Sequence, residues 1–132
     1  MPEGITILII EDDKYLNDLL CKKFEGEGFT PIAAIDAEQG LKDLKNSKAD
    51  LILLDLLLPG MHGFEFLEVI KKDPSTKDIP VIIISNLGQK EDIDKGLALG
   101  ADDYLVKAGV TLDEISLKVN NLLQKSGAAG SK

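Results

Sequence analysis

Cysteine and histidine occur once each in these 132 residues, as Cys21 and His62. A lone cysteine excludes an intramolecular disulfide and fits a reducing compartment. A lone histidine without companions is the wrong material for a transition-metal centre. Cys21 falls within a helical pattern, where burial preference predicts a structural thiol, and His62 is predicted to face solvent from a loop. Long hydrophobic runs are also missing. Ile5 to Ile10 is too short to span a bilayer or to serve as a signal-peptide core, and Met1-Pro2-Glu3-Gly4 ahead of it carries no basic stretch. Positive charge is in deficit: 23 acidic against 15 basic side chains leave a formal charge of -8. That balance disfavours unaided binding to nucleic acid or an anionic membrane and suits small cations or basic protein surfaces. A soluble, cytoplasmic protein is expected.

What is present is apolar material in alternating patterns. With 44% hydrophobic residues, a chain of this length suits one domain with one core. Ile5 to Ile10 reads as a strand, followed by a helix with Leu16, Leu19, Leu20 and Phe24 on one face and Gly26 and Gly28 at its end. Thr30 to Ala34 is a second strand. A helix from about Ala37 follows, capped by Asp36, with Leu41 and Leu44 as its stripe. Asp50 to Asp55 is the third strand, and Pro59-Gly60-Met61-His62-Gly63 leads into a helix with Phe64, Leu67 and Ile70 facing inward, stopped at Asp73-Pro74.

Pro80 opens a fourth strand, Val81 to Ser85, apolar without alternation and rich in β-branched residues, as expected of a parallel strand buried on both faces. The next helix, about Lys90 to Leu99, has only Ile93 and Leu97 as its stripe, and Gly96 costs it roughly 1 kcal/mol against alanine. It is expected to be the most mobile helix. Asp103 to Val106 is the fifth strand. The last helix enters through Thr111 and Glu114 and places Leu112, Ile115, Val119, Leu122 and Leu123 on one face. Ser126 to Lys132 is expected to be a flexible tail after a domain at 4-125. Five βα units in series predict a doubly wound α/β domain with a five-stranded parallel sheet and right-handed crossovers.

Ligands of open α/β sheets bind beyond the carboxyl ends of the strands. The residues there are Glu11-Asp12-Asp13, Asp55, Ser85-Asn86 and Lys107. No glycine-rich loop follows the first strand, so a nucleotide or flavin phosphate site is not indicated. Each residue alone has an ordinary explanation: a solvated capping triplet, a loop acid, a capping serine, a snorkelling lysine. Together they change meaning. Carboxylates converging on Asp55 would repel one another, and a hard divalent cation with oxygen ligands, magnesium being usual, is the economical remedy.

Four segments in this order resemble the response-regulator receiver domain of two-component signalling, over about residues 4 to 125. They are Ile9-Ile10-Glu11-Asp12-Asp13, Asp55-Leu56-Leu57-Leu58-Pro59-Gly60-Met61-His62-Gly63, Ile84-Ser85, and Gly100-Ala101-Asp102-Asp103-Tyr104-Leu105-Val106-Lys107. The resemblance implies a CheY-like, flavodoxin-like sheet with strand order 2-1-3-4-5. It implies Asp55 as phosphoryl acceptor from a histidine kinase or histidine phosphotransfer protein, acting as a signalling switch rather than an enzyme. It further implies Mg2+ held by Asp12 and Asp55 directly, by Leu57 through its carbonyl and by Glu11 through water, with Asp13 either a weaker candidate or a helix cap. Lys107 and Ser85 would hold phosphoryl oxygens, and Ser85 and Tyr104 would form the switch. The downstream partner would dock on the fourth helix, fifth strand and fifth helix; the domain itself would be a monomer or a weak dimer through that face and would bind no nucleic acid or membrane.

Three departures stand out from that pattern. Ala108 follows Lys107 where the family usually has proline, so a trans peptide is expected there. Asn86 replaces a small residue and either contacts the phosphoryl group or narrows the entrance. Leu57 and Leu87 offer attacking water no hydrogen bond, which implies a long-lived phosphoryl-Asp55. Two functions rival this reading: a phosphatase of the haloacid dehalogenase type, which needs an acid where this chain has Leu57, and a phosphate-independent docking module.

Overall fold

A computed structural model describes residues 4–126. Strands and helices alternate as β1 (Thr6–Ile10), α1 (Lys14–Gly26), β2 (Thr30–Ala34), α2 (Ala37–Asn46), β3 (Leu51–Leu54), α3 (Gly63–Lys72), β4 (Val81–Ser85), α4 (Lys90–Ala98), β5 (Asp103–Val106) and α5 (Leu112–Ser126). The strands form one sheet in the order β2-β1-β3-β4-β5, with every pairing parallel. This is the doubly wound arrangement expected. α5 takes in Ser126, the first residue of the predicted tail; the rest of that tail lies outside the described residues.

Alternation within the apolar strands builds two cores. Leu8, Ile10, Ile52, Leu54, Val81 and Ile83 face one side, where Phe66, Leu67 and Ile70 of α3 cover them. Ile7, Ile9, Leu51, Leu53, Ile82 and Ile84 face the other, under Leu20 and Phe24 of α1 and Ile115, Val119 and Leu123 of α5. Each such fully buried side chain contributes roughly 1.5–3 kcal/mol relative to exposure. Two carboxylates anchor strand entrances: Asp50 Oδ2 accepts from Thr6 N at 2.8 Å and Asp102 Oδ2 from Val81 N at 2.9 Å.

Several sequence expectations need correction. Phe66, not Phe64, is the fully buried aromatic of α3; Phe64 is half-buried. Leu16 packs against the core but, like Leu19, is only partly covered, while Asn17 is buried with Leu20 and Phe24. Leu97 is exposed, and the buried position of α4 is Gly96. A Cβ there would lie 2.7 Å from Ile83 Cδ1 and 3.1 Å from the Tyr104 ring, so the glycine lets α4 approach β4 and β5 closely. Cys21 is half-buried, its Sγ donating to Asn17 Oδ1 at 3.4 Å. Burial first, then the Glu25 and Asp18 carboxylates, push its thiol pKa up, which disfavours the reactive thiolate. His62 is the N-cap of α3: its Nδ1 accepts from Phe64 N at 3.1 Å while Glu65 Oε1 accepts from His62 N.

Candidate functional site

The carboxyl ends of β1, β3, β4 and β5 deliver the acidic, hydroxyl and ammonium groups to one rim. Asp55 immediately follows the fully buried β3 and is itself 4% exposed. Its Oδ2 accepts from Lys107 Nζ at 3.0 Å, and its Oδ1 accepts from Leu57 N at 3.3 Å. Lys107 also reaches Glu11 Oε1 at 2.7 Å. One ammonium therefore bridges the two buried acids of the site.

Burial lowers the Lys107 pKa, but the hydrogen bonds and charges of Glu11 and Asp55 outweigh it and the net shift is upward. The Glu11 carboxyl moves up as well. Burial is the leading cause and Asp55 adds to it, while Lys107 and the Asp13 N–H oppose. Glu11 Oε2 accepts that N–H at 3.1 Å. Asp13 caps α1, accepting from Tyr15 N and Leu16 N at 3.0 and 3.2 Å, so its carboxylate is engaged with the helix as expected.

Carboxylate oxygens of Glu11, Asp12 and Asp55 lie within 4.8 Å of one another, with Asp12 exposed at the mouth. All-oxygen, anionic and open on one side, this donor set fits a hard divalent cation rather than a soft one. Asn86, after β4, is exposed, and Leu57, after β3, is 49% exposed. The Lys107–Ala108 peptide is trans, as is every described peptide bond, and Lys107–Gly109 forms a single 3-10 turn.

Ser85 is fully buried at the end of β4, and its Oγ accepts from Leu87 N at 3.3 Å. Tyr104 is 8% exposed, and its hydroxyl donates to the Leu87 carbonyl. Burial, then the Asp92 and Asp55 carboxylates, push its pKa up to about 12 against an opposing Ser85 hydroxyl. The β4–α4 loop thus joins Ser85 to Tyr104 through one residue. On the other flank His62 stacks on Phe64 with ring centroids 5.2 Å apart, and Lys95 of α4 lies 4.7 Å above the Phe64 ring. A hollow of about 440 Å³ between α2 and α3, lined by Leu41, Leu44, Val69 and Ile70, shares no residue with this rim.

Sequence reasoning missed Asn17, whose amide bonds to three carbonyls beneath the acid pocket. The available signal was a polar residue three and seven positions before Leu20 and Phe24, on their own face.

A family model described as the response regulator receiver domain matches residues 7–120. The phosphate regulon transcriptional regulatory protein PhoB of Escherichia coli (strain K12) is 40% identical over 101 residues, 76% of this chain and 44% of that protein. The DNA-binding dual master transcriptional regulator RpaA of Synechocystis is 38% identical over 120 residues, 91% of this chain and 49% of that one. The chain spans about half the length of these relatives. Among solved structures, the receiver domain of Francisella response regulator 1452 matches with a TM-score of 0.86 at 31% identity, covering 93% of this chain and 99% of that one. A CheY-like receiver domain protein from Methanospirillum hungatei gives 0.86 at 30%, covering 92% and 95%. With the family model running from β1 into α5, and a parallel sheet in the same CheY-like order, the chain belongs to the response regulator receiver domains of two-component signalling.

Proposed function

We propose that Asp55 accepts a phosphoryl group from a histidine kinase or histidine phosphotransfer protein, and that this domain is a switch rather than a turnover enzyme. The observation that supports it most is Lys107, whose ammonium lies 3.0 Å from Asp55 Oδ2 and 2.7 Å from Glu11 Oε1. A cation is already held at the carboxylate that would gain negative charge.

An Asp55 oxygen attacks the phosphorus of the phosphohistidine. The phosphorus–nitrogen bond breaks, its electron pair leaves with the imidazole, and an acyl phosphate forms on Asp55. Asp12 and Asp55 would hold Mg2+ directly, Leu57 through its carbonyl and Glu11 through water. When bound, the ion offsets repulsion between the attacking carboxylate and the anionic donor. Lys107 and Ser85 then grip phosphoryl oxygens by charge-assisted hydrogen bonds.

Ser85 turning toward the phosphoryl group gives up its bond from Leu87 N. The Leu87 carbonyl that anchors Tyr104 moves with that residue, so the change reaches β5 and α4. Phosphorylation thereby biases two arrangements of the α4-β5-α5 face, where a partner protein docks. A cytoplasmic location for this domain accords with the lone thiol at Cys21; no described helix is long and apolar enough to cross a membrane.

Acetyl phosphate with MgCl2, followed by intact mass, tests the proposal. Wild type should gain one phosphoryl group and Asp55→Asn none. An unmodified wild type would favour a phosphate-independent docking module instead.

A further inference from the structure

Asn17 sits on the sheet-facing side of α1 with Leu20 and Phe24, and is 3% exposed. A primary amide on an apolar face is costly unless its polar atoms are bonded. Here they all are. Nδ2 lies 3.0 Å from the Glu11 carbonyl, 3.2 Å from that of Ala34 and 3.4 Å from that of Ile9. Carbonyls only accept, so they fix Nδ2 as the end that faces the strands, and Oδ1 is left to accept from Cys21 Sγ at 3.4 Å.

Two of those carbonyls bracket the acid pocket. Glu11 N donates to the Ala34 carbonyl at 3.0 Å, so Glu11 is fixed through its N–H by β2 and through its C=O by Asn17. The Glu11 carbonyl belongs to the peptide that leads into Asp12. Holding it sets the plane from which the Asp12 carboxylate projects beside Asp55. Asp12 is exposed, so the peptide plane is the chief restraint on where its carboxylate points.

We propose that Asn17 is a positioning residue for the metal-binding acids, acting through the Glu11–Asp12 peptide. The inference rests on the reading of Glu11, Asp12 and Asp55 as a magnesium site. Its expected effect is on affinity for the ion, by about tenfold or more, the range seen when groups supporting metal ligands are removed.

The test is a MgCl2 titration of 15N-labelled full chain, followed through the backbone amides of Asp12 and Asp55 and the side-chain amide of Asn17. In wild type all three should shift with one dissociation constant. Asn17→Leu keeps volume and apolar packing while deleting the donors. It should weaken Mg2+ binding about tenfold, yet reach close to the wild-type rate with acetyl phosphate at saturating Mg2+. An unchanged dissociation constant in folded Asn17→Leu overturns the inference while leaving the magnesium reading intact. If that variant fails to fold, the wild-type Asn17 side-chain amide decides, and its silence during the titration overturns the inference. Silence of Asp12 and Asp55 themselves overturns the magnesium reading and this inference with it.

Discussion

Gly63→Ala gives the sharpest test of how the chain presents Asp55. A Cβ at residue 63 would lie 2.6 Å from Leu56 Cα and 2.7 Å from the Asp55 carbonyl oxygen. Ordinary carbon contacts need about 3.5–4.0 Å, and both obstructing atoms are backbone that no rotamer change can move. The same loop closes through Gly63 N donating to the Leu56 carbonyl at 3.0 Å, so relief must come from pulling the loop apart. Overpacking of this kind costs about 1–3 kcal/mol. Alanine recovers at most about 1 kcal/mol of helix propensity, and less at a helix's first residue. Gly26→Ala is the matched control, since a Cβ at that last residue of α1 meets nothing within 4 Å. It should gain about 0.4–1 kcal/mol by restricting the unfolded chain. In urea denaturation followed by circular dichroism, the two substitutions should move the midpoint in opposite directions. A Gly63→Ala midpoint at or above that of wild type would refute the reasoning. Because the displaced atoms belong to Asp55 and Leu56, the variant should also accept phosphate more slowly under conditions where it remains folded.

Three further outcomes are expected. Folded Glu11 titrates above its ordinary 4.5, so the native state binds that proton more readily than the unfolded one. In metal-free buffer its contribution is full below 4.5 and lost as pH rises through the folded value; Glu11→Gln should remove this component from the pH profile of urea midpoints. Absorbance titration of tyrosinate should contain a component ionising near pH 12 that disappears in Tyr104→Phe; no late component would contradict the buried placement of the phenol. Phosphoryl-Asp55 should decay more slowly in wild type than in Leu57→Asn, because the exposed leucine offers attacking water no hydrogen bond; equal decay in purified, Mg2+-containing samples would sink that role for Leu57.

The fold was legible because its strands violate alternation. Val81 to Ile84 is apolar at every position, and only burial on both faces accommodates that. The rim was legible from the set: Asp55 and Lys107 each have an ordinary reading alone, but as charges directly beyond apolar runs, together with Glu11, Asp12 and Ser85 at neighbouring strand ends, they point to one site. What escaped reading depends on helix phase and close approach. Phe64 and Phe66 are two residues apart, and either could lead the stripe of α3 until the Gly63 contact with Leu56 fixes the helix's rotation. Gly96 read as a weak point of α4, although it is the place where α4 meets the sheet. Asn17 resembled any polar helix residue, because the carbonyls that need it come from β1, from Glu11 just beyond it and from β2.

Lys107 bears on how such a chain is made. Its ammonium bonds both Glu11 and Asp55 and offsets part of their charge, so the strand ends already hold a cation of the chain's own. A zinc finger, by contrast, stays unfolded until its ion arrives. A nascent chain that carries this internal counter-ion is expected to fold as cooperatively in chelator as in MgCl2.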